Sequence, residues 1–139
     1  DGPKKQSLIR IADSLNISNR VRFLGWRSDT RNLLAAADAL ICPSRHEPLG
    51  NVILEAWVQG KPVIAAASDG PKELIISGKN GFLCEIDNPT NLADVVKILL
   101  GDANLAEEFA SEGRKTYERN FSKKIIVKQY TDFFDKLVN

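Results

Sequence analysis

The chain has 139 residues, 43% apolar and 27% charged, the balance of one ordinary folded domain with a real core. With 19 basic against 18 acidic residues the net charge is +1, and no basic stripe asks for nucleic acid. No apolar run approaches the length of a membrane span, and two Cys with one His offer too few ligands for a metal site.

The chain opens Asp1-Gly2-Pro3 and holds no Met, which reads as a piece of a longer protein that begins just after a strand. Helical spacing over residues 4–16 places Leu8, Ile11, Ala12 and Leu15 on one face. Residues 21–24 predict a strand ended by Gly25, and Asp29 is placed to cap a short helix through Leu33, Leu34 and Ala37. A second strand is predicted over residues 39–42, stopped by Pro43. A helix over residues 50–59 follows, ended by Gly60, with Pro62 preventing its continuation. Residues 63–66 predict a third strand, and Asp69-Gly70-Pro71 opens a short helix through Leu74, Ile75 and Ile76. A fourth strand is predicted over residues 81–84, then helices over residues 91–100, 104–120 and 122–137. Short, uninterrupted apolar strands alternating with helices imply an α/β fold, a parallel sheet covered on both faces. Cys42 and Cys84 fall in two of these strands and read as buried free thiols of a reducing, cytoplasmic compartment.

The residues most in need of explanation are Glu47 and Glu55. Glu55 interrupts an apolar run, Val52-Ile53-Leu54-Glu55-Ala56-Trp57-Val58, with no Lys or Arg within a helical turn. A charge in such a run is expected to lose hydration, which is tolerated only with a partner. A ligand hydroxyl pair is one candidate, and a distant Lys or Arg brought up by the fold is the other. In a parallel sheet, ligands bind outside the carboxyl ends of the strands, where residues 43–49 lie. Gly50, Asn51 and Val52 then supply the open N–H groups of a helix start, which favour a phosphate. Glu55, one turn further along in line with Asn51, can accept two hydrogen bonds from a vicinal diol such as a ribose. Glu47 would face the other end of the same ligand.

The stretch Pro43-Ser44-Arg45-His46-Glu47-Pro48-Leu49-Gly50-Asn51-Val52-Ile53-Leu54-Glu55-Ala56 resembles the Glu-x7-Glu motif of retaining glycosyltransferases with the GT-B architecture, family 4 branch. Flanking blocks match in order: residues 21–26, Ala37-Asp38, residues 60–65, Asp69-Gly70-Pro71 with Glu73, and Gly78 with Gly81 and Phe82. The resemblance implies a Rossmann-like, nucleotide-sugar-binding domain over residues 1–139, part of the C-terminal half of a GT-B fold lacking its first strands, terminal crossover helix included. It implies that Glu47 contacts the transferred sugar near the reacting carbon and that Gly50, Asn51 and Val52 hold the diphosphate. Glu55 would bind the ribose, the loop at Gly25 and Trp26 would lie near the base, and Leu49 would join the donor contacts. It implies sugar transfer with retention, no metal and no other cofactor, with departing phosphate helping to deprotonate the acceptor.

Pro48-Leu49 replaces the common Gly-Phe of the motif, a variant similar to bacterial lipopolysaccharide-core enzymes, a branch that often uses GDP-mannose. The resemblance implies that the cations that neutralise the diphosphate, and the acceptor domain, lie in segments before Asp1. The chain alone is therefore expected to show no transferase activity, and any membrane contact is expected through that absent domain. His46 is either a solvent-exposed loop residue or a sugar contact. Trp26 is more often core or interface than a base platform. Asp69-Gly70-Pro71 reads first as a bare turn and helix cap, and second as another helix start facing the same cleft. Arg45 and Lys61 read as surface charges, or as partial substitutes for the missing cations. The last helix carries more apolar residues than one face needs, so self-association or partial disorder is expected there. Two rival functions stay open: a sugar-nucleotide epimerase of the same architecture, and a non-catalytic nucleotide-binding or assembly module. An NAD-binding domain is disfavoured because no Gly-x-Gly-x-x-Gly follows a strand.

Overall fold

The structure is a computed structural model that describes residues 2–138. It divides into two compact units, Asp1–Thr30 and Arg31–Asn139.

In the first unit, α1 spans Lys5–Ser14, as the periodicity predicts, and a single 3-10 turn follows at Ser18–Arg20. Of the predicted apolar face only Ala12 is buried, while Leu8, Ile11 and Leu15 are exposed. The strand expected over residues 21–24 does not form. Val21 has extended dihedrals, φ −110° and ψ 129°, but pairs with no strand among the described residues. Extended backbone becomes a strand only where a neighbour supplies the complementary N–H and C=O groups. Arg27 grips the Asp29 carboxylate with two hydrogen bonds, of 2.7 and 2.5 Å, and holds its pKa below the usual range.

Helix α2 (Thr30–Ala36) begins on the last residue of the first unit and otherwise belongs to the second, which also contains β1 (Leu40–Cys42), α3 (Asn51–Val58), β2 (Val63–Ala66), α4 (Asp69–Leu74) and β3 (Phe82–Cys84). It closes with α5 (Pro89–Gly101), α6 (Ala103–Asn120) and α7 (Lys123–Val138). The three strands are parallel in the order β1-β2-β3, with Leu40 opposite Val63 and Ile64 opposite Phe82. All four residues of the central β2 are buried, which is why this strand reads as a continuous apolar run rather than an alternating one.

Each face of the sheet has its own core. Val63 and Ala65 join Ile53, Ala56 and Trp57 of α3, with Leu74 and Ile75 closing the layer. On the other face, Ile64 meets Leu99 of α5 and Phe109 of α6, and Phe109 packs edge-on to Phe82 with centroids 4.8 Å apart. Caps fix where the covering helices begin. The Asn88 side chain accepts from Asn91 N–H at 2.9 Å with Pro89 at the first helical position, and Asp102 accepts from Leu105 N–H at 3.0 Å. Buried Asn80 ties the turn before β3 to its surroundings, accepting from Ile76 N–H and donating to the Leu74 carbonyl and Thr116 hydroxyl.

Helix α6 approaches α3 at Gly113, where an added Cβ would overlap the Trp57 indole. Gly113→Ala is thus expected to lower the unfolding free energy by about 1–3 kcal/mol, the usual range for overpacking. Urea denaturation checks this, and an unchanged midpoint would mean the α3–α6 contact is looser than described. Helix α7 keeps Val127, Tyr130, Phe133, Phe134 and Leu137 exposed. No helix among the described residues is long and apolar enough to cross a membrane.

Candidate functional site

The carboxyl ends of the three strands converge on one side of the second unit. Pro43 follows β1, Ala66 ends β2 and Cys84 ends β3, and all three line a cavity of about 380 Å³. Arg45, Glu85, Asp87 and Asn88 supply its polar groups. These groups already satisfy one another: Arg45 pairs with Asp87 at 2.5 Å, and Asn88 donates to Glu85 at 2.8 Å. Arg45 is thus a surface charge with its own partner, in an exposed pair of little energetic weight. Burial pushes the Cys84 thiol above its ordinary pKa, and both Cys42 and Cys84 are free and buried.

Helix α3 starts from the same strand ends. Gly50 stands before it in the left-handed region, φ 73°, where an L side chain would be strained. A Cβ at Gly50 would also lie 2.8 Å from a Leu74 methyl of α4. Glu47 is half-buried in the preceding loop and is fixed at two points. Its carboxylate Oε1 accepts from Gly50 N–H at 3.0 Å, and its backbone carbonyl accepts from Gly70 N–H at 2.8 Å. Of the three predicted phosphate donors, Gly50 N–H is therefore occupied by Glu47. The N–H groups of Asn51 and Val52 have no acceptor among the described residues.

Glu55 differs from the sequence expectation. It is exposed, not buried, so the argument from lost hydration fails. Ile53, Ala56 and Trp57 turn inward, and the helical period puts Glu55 on the outer side with exposed Asn51, one turn before it. Its carboxylate has no partner among the described residues. It stands about 6 Å along the helix axis from Asn51. The geometric half of the expectation stands: one helix start carries Glu47, two open amides and Glu55 in sequence.

His46 and Leu49 are exposed on the same loop, and neither makes a side-chain hydrogen bond among the described residues. Gly25 and Trp26 belong to the first unit, where Trp26 is 93% exposed and so is not a core residue. Gly70 lies in the first turn of α4, as the turn and helix-start reading expects, but it also makes a close backbone approach that the sequence does not show. A Cβ on it would fall 2.6 Å from the Leu49 carbonyl carbon and 2.8 Å from both the Glu47 oxygen and the Gly50 nitrogen. The only local signal was its place between Asp69 and Pro71, common to any turn. No group of three or more His, Cys, Asp or Glu side chains is placed to hold a metal among the described residues.

The profile of the family described as glycosyl transferases group 1 matches residues 1–116. The chain belongs to the group 1 glycosyl transferases. Within this family it is 40% identical over 130 residues to the lipopolysaccharide core biosynthesis glycosyltransferase LpsE of Rhizobium meliloti, covering 94% of this chain and 38% of that protein. LpsD of the same organism is 36% identical over 136 residues, covering 98% and 40%. This group 1 glycosyl transferase chain thus spans about two-fifths of the curated relatives' length. Among solved structures, HepE of Anabaena in complex with UDP superimposes with a TM-score of 0.90 at 33% identity, over 94% of this chain and 36% of that one. HepE has also been solved with UDP-glucose, with a TM-score of 0.85. The three parallel strands and their covering helices are therefore the α/β architecture of GT-B glycosyltransferases.

Proposed function

We infer that this chain binds the nucleoside diphosphate moiety of a sugar donor for a retaining hexosyltransferase that builds bacterial cell-surface polysaccharide or lipopolysaccharide core. One observation carries the reading: the start of α3 presents two open amides, with an unpartnered, exposed carboxylate one turn further along and a second carboxylate just before it. The amides of Asn51 and Val52 suit a diphosphate. Glu55 suits the ribose diol. Glu47 suits the hydroxyls of the transferred sugar, and it keeps Gly50 N–H for itself, which leaves the diphosphate to the Asn51 and Val52 amides. The names of the relatives favour the lipopolysaccharide-core setting, and the HepE complexes make UDP and UDP-glucose the first probes. GDP and GDP-mannose are the second, since the Pro48-Leu49 variant resembles a branch that uses them. Two buried free thiols go with a cytoplasmic setting. Transfer itself is assigned to the longer protein and its acceptor-binding part, not to this chain.

Calorimetric titration with UDP, GDP and ADP tests the reading. One base is expected to bind and the other two not, and binding is expected without sugar release or transfer. Equal affinity for all three, or none for any at millimolar concentration, would remove the donor-site reading. An epimerase would instead isomerise the sugar of the bound donor, which product analysis reads directly.

A further inference from the structure

We propose that Gly70, at the start of α4, is the positioning residue for Glu47, acting on the sugar end of the donor site without touching the donor. The inference rests on the donor-site reading above. Glu47 hangs between two hydrogen bonds. Gly50 N–H holds its carboxylate at 3.0 Å, and Gly70 N–H holds its carbonyl at 2.8 Å. The second bond forms only because α4 presses its first turn into the loop, and only a residue without a Cβ can come that close. Any side chain at 70 would meet backbone on three sides, the Leu49 carbonyl carbon, the Glu47 oxygen and the Gly50 nitrogen, at 2.6–2.8 Å. None of these atoms is the tip of a flexible side chain, so relief must come from the loop itself. The displaced segment is residues 47–50, which carries Glu47 and the residue before α3. Glu55 and the open amides of Asn51 and Val52 belong to α3, whose inner face is held by Ile53, Ala56 and Trp57. A push at Gly70 therefore moves the sugar carboxylate and spares the nucleotide contacts. Leu74, four residues on, packs over Gly50 and makes α4 and the loop one body.

The test compares Gly70→Ala with Gly101→Ala, where an added Cβ meets nothing within 4 Å. Two readouts are taken on each protein. Amide hydrogen exchange by NMR reads the Gly50 N–H. It is expected to be protected in the parent and to exchange about tenfold faster in Gly70→Ala, with the Ile64 and Ala65 amides of β2 unchanged. Titration with the nucleoside diphosphate that binds and with its sugar donor (UDP and UDP-glucose first, GDP and GDP-mannose second) is expected to leave the diphosphate affinity unaltered and to abolish whatever the sugar donor gains over it. In the longer protein the same substitution should lower kcat about 100-fold with little change in the donor KM. A purely structural glycine would instead raise exchange throughout the sheet and weaken both ligands alike. That pattern, or a Gly50 amide still protected in Gly70→Ala, would overturn the proposal. Should Gly70→Ala fail to fold, the parent and Glu47→Ala decide. Gly70 N–H must be protected in both and Gly50 N–H in the parent alone, and a Gly70 amide exchanging as fast as that of Asn51 refutes the assignment. If the parent binds none of UDP, GDP and ADP, the donor reading fails, and the exchange data still settle whether Gly70 holds Glu47.

Discussion

Glu55→Ala is expected to weaken binding of the cognate nucleoside diphosphate tenfold to 100-fold while leaving the unfolding free energy within about 0.5 kcal/mol of the parent. The two halves of this result have different causes. In the folded chain the Glu55 carboxylate is exposed and has no partner among the described residues, so its removal breaks nothing. A bound ribose would give it two charge-assisted hydrogen bonds, each worth about 1.5–3 kcal/mol before the cost of ordering is subtracted. Calorimetry and urea denaturation on the same two proteins read both halves. A variant that loses stability but keeps affinity would show that Glu55 is a structural residue and that the ribose site lies elsewhere.

Trp57→Ala should produce the largest loss of stability of any substitution in the second unit. Trp57 is fully buried and joins α3 to the core beside Val63 and Ala65 while lying against Gly113 of α6. Truncation leaves a cavity that so many neighbours cannot collapse to fill, and about 3–5 kcal/mol is expected, against a typical total of about 5–15 kcal/mol. One term opposes it. The Trp57 indole N–H has no acceptor among the described residues, and an unpaired buried donor costs about 1–3 kcal/mol. Trp57→Phe separates the two, because it removes the unpaired donor and keeps most of the ring volume. It is expected to cost only about 1 kcal/mol, lost contacts nearly offset by relief of the orphan group. If both variants unfold at the parent's denaturant midpoint, α3 is not seated as described. The start of α3 would then be too mobile to present Glu55 and the open amides together.

The two predictions concern opposite sides of one helix, and they show why α3 was only half legible in advance. Its extent could be read locally: Gly50 before it, Gly60 after it and Pro62 beyond. The side on which each residue falls follows from the helical period, which places Ile53, Ala56 and Trp57 together and Glu55 with Asn51. The burial expected for Glu55 from its apolar neighbours in sequence fails because that same period turns residue 55 outward. The ribose contact proposed for Glu55 does not depend on burial, because an exposed carboxylate in line with Asn51 can still meet a diol.

By itself, the sequence determined whatever depends on neighbours along the chain. β2 is apolar at every position because both its faces are covered, and Asn88-Pro89 and Asp102 mark where α5 and α6 begin. The spacing from Glu47 to Glu55, with its flanking blocks, already pointed to the glycosyltransferase family. Only the tertiary structure decided matters that need a partner distant in sequence. Residues 21–24 form no strand, although Val21 is extended, since no described strand offers them a ladder. Arg45 is paired, because the turn before α5 brings Asp87 to it across 42 positions. Gly70 looked like any turn glycine until α4 was seen pressed against the backbone of Glu47, Leu49 and Gly50. Local signals are written in propensity and period, whereas a close approach between two backbones leaves in the sequence only a missing side chain.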